Sequence, residues 1–261
     1  RGLVAVLYRT WLQRHPGSSY NLFAWFNLGV VLFSDGDLEG AGQAYEQSLA
    51  LSPGFVQSRF NLGLVRERQG QIDAAIALWK QVQEHADPAQ ADQRPILISA
   101  LNNQARVQET RKQFADAFDC LNRSLALDPG QTDVLHHWIF IRAKQCLWPV
   151  YDAPAGVDPQ LLRDSTSALA LLSLSDDPQR QLATARGYAE RKLPAHLPRL
   201  APAEGYRHEK IRIGYCSSDF CLHPVSMLTV ELLELHDRSR FEVYGFCWSP
   251  NDGSAMRQRV V

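Results

Sequence analysis

The sequence predicts an α-helical solenoid that leads into the start of an α/β domain. Three observations carry this. A short pattern occurs three times in the first 130 residues, as Trp25-Phe26-Asn27-Leu28-Gly29, Asn61-Leu62-Gly63 and Asn103-Gln104-Ala105, with asparagines spaced by 34 and then 42 residues. Each copy is followed at the same offsets by a small residue, Ala41, Ala75 or Ala117, and then by a large one, Tyr45, Trp79 or Leu121. Beyond Lys210 the texture changes to two short β-prone runs, each leading through a polar loop into helix-forming sequence.

The first two observations describe a tetratricopeptide array, in which every repeat is a helical hairpin. Residues 4–13 read as the second helix of a preceding repeat, stopped by His15-Pro16-Gly17. Within the repeats, Gly29, Gly63 and Ala105 stand where the first helix must approach the second, and Ala41, Ala75 and Ala117 answer them from the second helix. Tyr45, Trp79 and Leu121 are expected to fill the space between successive repeats. The turns carry Gly36 and Gly70, which suit a left-handed helix end, whereas Lys112 holds the same place without that freedom. Pro53 and Pro129 stop the second helices because proline has no backbone N–H to donate. The eight extra residues before the third copy fall at 85–95, which carries two prolines, and should lengthen a loop or the helix ends.

Asn27, Asn61 and Asn103 share one repeat position on the first helix, the side that lines the concave groove. Primary amides donate and accept, so a row of them is a candidate grip on the backbone of an acceptor peptide. Hydrogen bonding within each repeat explains the same residues equally well. The solenoid is expected over residues 1–145, and stacking repeats would bury a core that none buries alone.

A helical junction and linker should occupy 146–209. It starts at the end of an unfinished fourth repeat carrying His136, His137 and Trp138, includes helical stretches at 161–174 and 178–192, and ends in a proline-rich linker at 194–202. The adjacent histidines do not predict a metal site, since neighbours on a helix point about 100° apart and no third ligand is in register. Residues 210–261 read as strand, loop, helix, strand, loop and helix, the opening of a parallel doubly wound fold whose ligands sit at the carboxyl ends of the strands. That places 217–224 and 249–253 on the rim. The first loop lacks the glycine fingerprint of dinucleotide sites and offers hydroxyls, a carboxylate, His223 and a helix N-terminus instead. Ordinary helix capping also accounts for Ser217, Ser218 and Asp219.

Composition narrows the alternatives. In 261 residues, 27 basic side chains balance 28 acidic ones, which argues against nucleic acid or a membrane surface as partner. Five cysteines without close CxxC pairs fit free thiols in a reducing cytoplasm, and no apolar run is long enough for a membrane span. With no initiator Met, the chain is expected to be a piece of a longer protein.

The run Ile211-Arg212-Ile213-Gly214-Tyr215-Cys216-Ser217-Ser218-Asp219-Phe220-Cys221-Leu222-His223-Pro224-Val225-Ser226 resembles the first strand and loop of the catalytic region of the O-linked N-acetylglucosamine transferases and their bacterial homologues. Phe241-Glu242-Val243-Tyr244 and Ser249-Pro250-Asn251-Asp252-Gly253-Ser254 resemble the next strand and loop. Cys146, Trp148 and Tyr151 match the family's junction, and the order of segments agrees. Cys221 and Leu222 depart from the small or polar residues common in relatives, and Val225 stands in place of the common Thr.

The resemblance implies a GT-B type enzyme with two Rossmann-like halves. It implies metal-independent, inverting transfer of N-acetylglucosamine from its uridine-diphosphate donor to Ser or Thr of acceptor proteins bound by the repeats. His223 aligns with the family histidine at the active-site mouth, with Asp219, Phe220 and Pro224 on the rim. The nucleotide site of such a family would lie beyond residue 261, so this piece alone is expected to be inactive. A non-catalytic tetratricopeptide scaffold, and a related transferase for fucose or glucose, are the alternatives.

Overall fold

The computed structural model describes residues 2–194, 198 and 200–261, so part of the linker expected at 194–202 lies outside the described residues. The chain forms two compact units, Arg1–Pro194 and Ala195–Val261.

In the first unit, helices α1 (Gly2–Arg14), α2 (Asn21–Asp35), α3 (Leu38–Leu51), α4 (Val56–Arg68), α5 (Ile72–His85), α6 (Arg94–Thr110), α7 (Phe114–Leu127) and α8 (Thr132–Lys144) each pack on the next in chain order. This is the solenoid that the repeats predict. Its closest packing falls where a helix lacks a side chain. A Cβ on Gly29 would stand 2.6 Å from the Tyr45 ring, and one on Gly63 would run into Trp79. Ala41, Ala75 and Ala117 are completely buried, as is Trp79.

The large residues do more than fill the space between repeats. Tyr45 lies on the glycine of its own hairpin while its hydroxyl accepts from Asn61 Nδ2 of the next, at 3.3 Å. Burial pushes this phenol up to about 12. Trp79 likewise donates within its own repeat, from Nε1 to the Phe60 carbonyl at 3.3 Å.

Three of the inter-helix turns end alike. Gly36, Gly70 and Lys112 all adopt positive φ, of 85°, 77° and 61°. Each donates its N–H to a carbonyl three residues back, and the next residue donates to one five back. The eight extra residues enter partly as loop and partly as helix, since α6 begins at Arg94 and runs 17 residues against 13 for α4.

After α8 come α9 (Pro159–Asp164), α10 (Ala168–Leu172) and α11 (Pro178–Lys192). The single stretch expected at 161–174 is therefore broken in two. Ser165 Oγ bonds back to the Leu161 carbonyl at 2.7 Å, and Ser167 Oγ caps α10 by accepting from Ala170 N–H at 3.0 Å. Serine side chains here take backbone partners that a continuous helix would use.

The second unit contains β1 (Ile211–Ser217), α12 (Pro224–Glu234), β2 (Phe241–Cys247) and α13 (Ala255–Val260). The strands are parallel with Ile211 opposite Phe241 and Ser217 opposite Cys247, so both carboxyl ends open on one side. Helix α12 stops at Glu234. No helix among the described residues is long and apolar enough to cross a membrane.

Candidate functional site

In the second unit the two strand-end loops are tied together by polar atoms. Phe220 N–H donates to Ser249 Oγ at 2.8 Å and Leu222 N–H to Asp252 Oδ2 at 2.7 Å. The N–H groups of Leu222 and Ser254, with the Ser254 hydroxyl, hold the Asp252 carboxyl below the usual carboxylate range. From α13, Arg257 Nη1 reaches the Phe220 carbonyl at 2.7 Å and Cys247 Sγ at 2.7 Å. Ser249 and then Arg257 lower the Cys247 thiol, whereas partial burial and then the Asp252 charge raise that of Cys221. Ser226 is fully buried and donates to the Asp219 carbonyl at 2.5 Å.

This network fixes His223. The residue is the N-cap of α12, with Pro224 in the first turn, where proline's missing N–H costs nothing. Its Nδ1 accepts from Val225 N–H at 3.2 Å and lies 3.8 Å from Asp219 Oδ2. With Nδ1 used as an acceptor, the ring proton of a neutral imidazole sits on Nε2, which has no partner among the described residues. Of the residues expected at the rim, Phe220 is buried, while Asp219 and His223 remain partly exposed.

The three asparagines of the repeats are all half-buried, and their bonding differs. Asn27 has no side-chain partner among the described residues; Asn61 donates to Tyr45; Asn103 donates to the Ser99 carbonyl at 2.9 Å and accepts from Arg106 at 3.2 Å. Asn103 also lines two cavities on the first helices of the repeats. One, of about 380 Å³, is shared with Phe33, Leu64, Glu67, Arg68 and Arg106, and the other, of about 240 Å³, with Asn102, Glu109 and His137.

A further cavity of about 700 Å³ lies between α6, α8, α10 and α11 and was not legible in the sequence. His136 and His137 meet edge to face there, 5.0 Å apart, and His137 Nδ1 is 2.8 Å from Glu109 Oε2. The Glu109 carboxylate raises His137, whereas burial and then the neighbouring His137 lower His136. The adjacent histidines were visible in the sequence, but their partner is 28 residues away on another helix, with no spacing signal to announce it.

Comparison with known proteins agrees with both units. Residues 195–261 match the model of glycosyl transferase family 41, and residues 22–55 and 56–129 match tetratricopeptide repeat models. A curated relative, the UDP-N-acetylglucosamine–peptide N-acetylglucosaminyltransferase of Caenorhabditis elegans, is 42% identical over 66 residues, which is 25% of this chain and 6% of the relative. Among solved structures, an O-GlcNAc transferase of Thermobaculum terrenum is 22% identical, with a TM-score of 0.47, covering 93% of this chain and 40% of its own. The pilF protein of Pseudomonas aeruginosa, 18% identical with a TM-score of 0.53, covers 72% of this chain and 82% of its own, and shows the same solenoid fold. The aligned part of this chain thus spans a small share of the curated relative's length. Tetratricopeptide repeats followed by a glycosyl transferase family 41 segment, in the order that the strand and loop motifs indicate, make the chain similar to a fragment of the tetratricopeptide-bearing O-GlcNAc transferases.

Proposed function

We propose that this chain is the acceptor-binding and partial catalytic region of a protein O-GlcNAc transferase. The full protein would move N-acetylglucosamine from UDP-N-acetylglucosamine to Ser or Thr, with inversion, without a metal, and in the cytoplasm. Acceptor proteins would lie in the repeat groove against Asn27, Asn61 and Asn103. The observation that carries the reading is the rim itself: within the family 41 segment, two cross-bonded loops hold a histidine at a helix N-terminus with one ring nitrogen free.

Asp219, Phe220 and Pro224 then serve as the frame of His223. Phe220 anchors the loop from below through its burial and two backbone bonds, and Pro224 starts the helix that His223 caps. Because Nδ1 is committed to Val225 N–H, the free Nε2–H is a donor. His223 therefore holds the acceptor oxygen by hydrogen bonding rather than removing its proton. Acting as a base through Nε2 would require moving the proton to Nδ1 and giving up the cap. The imidazole would then turn its N–H toward Asp219, at 3.8 Å.

The test is transfer to a protein acceptor by the full-length protein carrying His223→Ala. Turnover should fall by about 10²- to 10³-fold with donor affinity intact, as for the loss of one positioned hydrogen-bond donor. His223→Asn, whose amide can both cap the helix and donate, should recover part of the loss and leave the pH profile flat across neutrality. Near wild-type turnover of His223→Ala with unchanged stability would sink the assignment. A scaffold reading predicts no donor binding at all by the full-length protein.

A further inference from the structure

Through Arg257 the sulfur of Cys247 is brought to the peptide of Cys221. Arg257 Nη1 donates at 2.7 Å both to Cys247 Sγ and to the Phe220 carbonyl, whose peptide bond continues into Cys221. The loop that carries Cys221 is seated on the same face of the sheet as Cys247. A Cβ on Gly245 would stand 3.7 Å from the Phe220 ring, and residues 245 and 247 point the same way because strand side chains alternate. On either side of Cys221, the N–H groups of Phe220 and Leu222 are bonded to Ser249 and Asp252, just beyond Cys247 in the chain. Cys247 is exposed and Cys221 half-buried. Cys216 offers a contrast: it is exposed as well, but it stands opposite Phe246, one residue out of step with Cys247, and so points to the other face.

Resting on the reading of His223 as the group that holds the acceptor oxygen, we infer that Cys247 is a modification site whose sulfur is oxidised by a peroxide and then closed by Cys221 into a disulfide that displaces His223. The two thiols suit different steps. Ser249 and then Arg257 lower Cys247, which favours the thiolate on an exposed sulfur, and the thiolate is the reactive form. Cys221 keeps its proton, because partial burial and then the Asp252 charge raise it. In the first step the Cys247 thiolate attacks one oxygen of hydrogen peroxide, the O–O bond breaks, and the other oxygen leaves as hydroxide and is protonated to water; the sulfur is now a sulfenic acid. In the second the Cys221 sulfur attacks that of the sulfenic acid, the S–O bond breaks, and hydroxide leaves as water with the Cys221 proton. The two sulfurs together lose two electrons, and the peroxide gains them. The disulfide takes from Arg257 the thiolate to which it donates and draws Cys221 toward β2. His223 must follow, since its N–H donates to the Cys221 carbonyl at 2.8 Å.

The experiment titrates the full-length protein with hydrogen peroxide, alkylates the remaining thiols and reads the digest by mass spectrometry. Cys247 should be found linked to Cys221 while Cys216 stays alkylated, with Cys247 reacting about 10-fold faster than Cys216 or more. In Cys221→Ser, dimedone, which traps sulfenic acids, should label Cys247. In Cys247→Ser, Cys221 should stay reduced over the same range of peroxide. Transfer to a protein acceptor should fall roughly 10²-fold on linkage, the cost of misplacing a positioned group by about 1 Å, and should return with dithiothreitol. Within Cys247→Ser, transfer before and after peroxide should be equal. Equal oxidation of Cys216 and Cys247, or a Cys247 sulfenic acid that Cys221 does not close, overturns the site. Linkage with transfer unchanged overturns its action on His223. Linkage in a protein that transfers no sugar even when reduced removes the transferase reading and leaves the thiol chemistry standing, so the two failures are read apart.

Discussion

The two units hold themselves together by different means. In the solenoid, order comes from apolar fit: Trp79, Trp138, Tyr45 and Leu101 are essentially fully buried, and the largest rings press on helices that lack a Cβ at the contact. In the α/β unit only Phe220, Ser226 and Val230 are buried among the described residues, while Tyr244, Phe246 and Trp248 are exposed. There the loops are fixed by Ser249, Asp252 and Arg257 acting on backbone atoms. The solenoid thus takes its shape from side-chain volume, and the rim takes its shape from hydrogen-bond direction. Volume errors should damage the first, and lost donors or acceptors the second.

Truncating a tryptophan in each unit tests that contrast with the largest effect. Trp79→Ala should cost about 3–5 kcal/mol, the usual cost of emptying a core site of that size. The same change at Trp248, 66% exposed, should stay within about 0.5 kcal/mol. Urea unfolding followed by circular dichroism reads both. Hydrogen exchange should place the Trp79 loss in α4, α5 and the adjoining helices, because repeats couple mainly to their neighbours. Equal costs for the two variants would erase the distinction between the units.

The same contrast explains what the sequence discloses. Gly29, Gly63, Ala75 and Tyr45 recur at fixed offsets, and a repeating fit writes itself into the sequence as a period; hence the solenoid and its turns were legible down to Lys112. The parallel strands were legible too, from β-prone runs ending in polar loops. Arg257 was not, since one arginine reaching a carbonyl 37 residues earlier has no period. Nor was the break at Ser165–Ser167, where local side-chain bonds decide against an otherwise helical stretch. The roles of Asn27, Asn61 and Asn103 stayed open in the sequence because an amide that binds a ligand and one that bonds within its repeat look identical there. In the fold the three already differ in their partners.

A smaller effect separates the units from the other side. Ser226→Ala removes one hydroxyl from a fully buried position and leaves the Asp219 carbonyl without its 2.5 Å donor. The expected cost is about 1 kcal/mol, with faster hydrogen exchange at Phe220 and Leu222, the amides that hold the rim loop. Ser226→Cys keeps the volume and weakens the donor, so it should reproduce most of the loss. A Cys variant as stable as the parent would make volume, not direction, the governing factor at the rim.

The smallest effect belongs to the turns and has the opposite sign. Gly36, Gly70 and Lys112 close their helices with the same pair of backbone bonds, yet only Lys112 carries a side chain in the left-handed region, at φ 61°. That conformation costs an L-residue about 1–2 kcal/mol. Glycine avoids the cost but loses more backbone freedom on folding, about 0.5–1 kcal/mol. The difference leaves Lys112→Gly more stable by roughly 0.5 kcal/mol. The converse change, Gly70→Lys, should destabilise by about the same amount. Both are read as shifts in the urea midpoint at constant slope. If Lys112→Gly instead destabilises, then the lysine side chain contributes at this turn something that backbone geometry does not contain, and the first helix of the third repeat ends by a rule different from those of the first two.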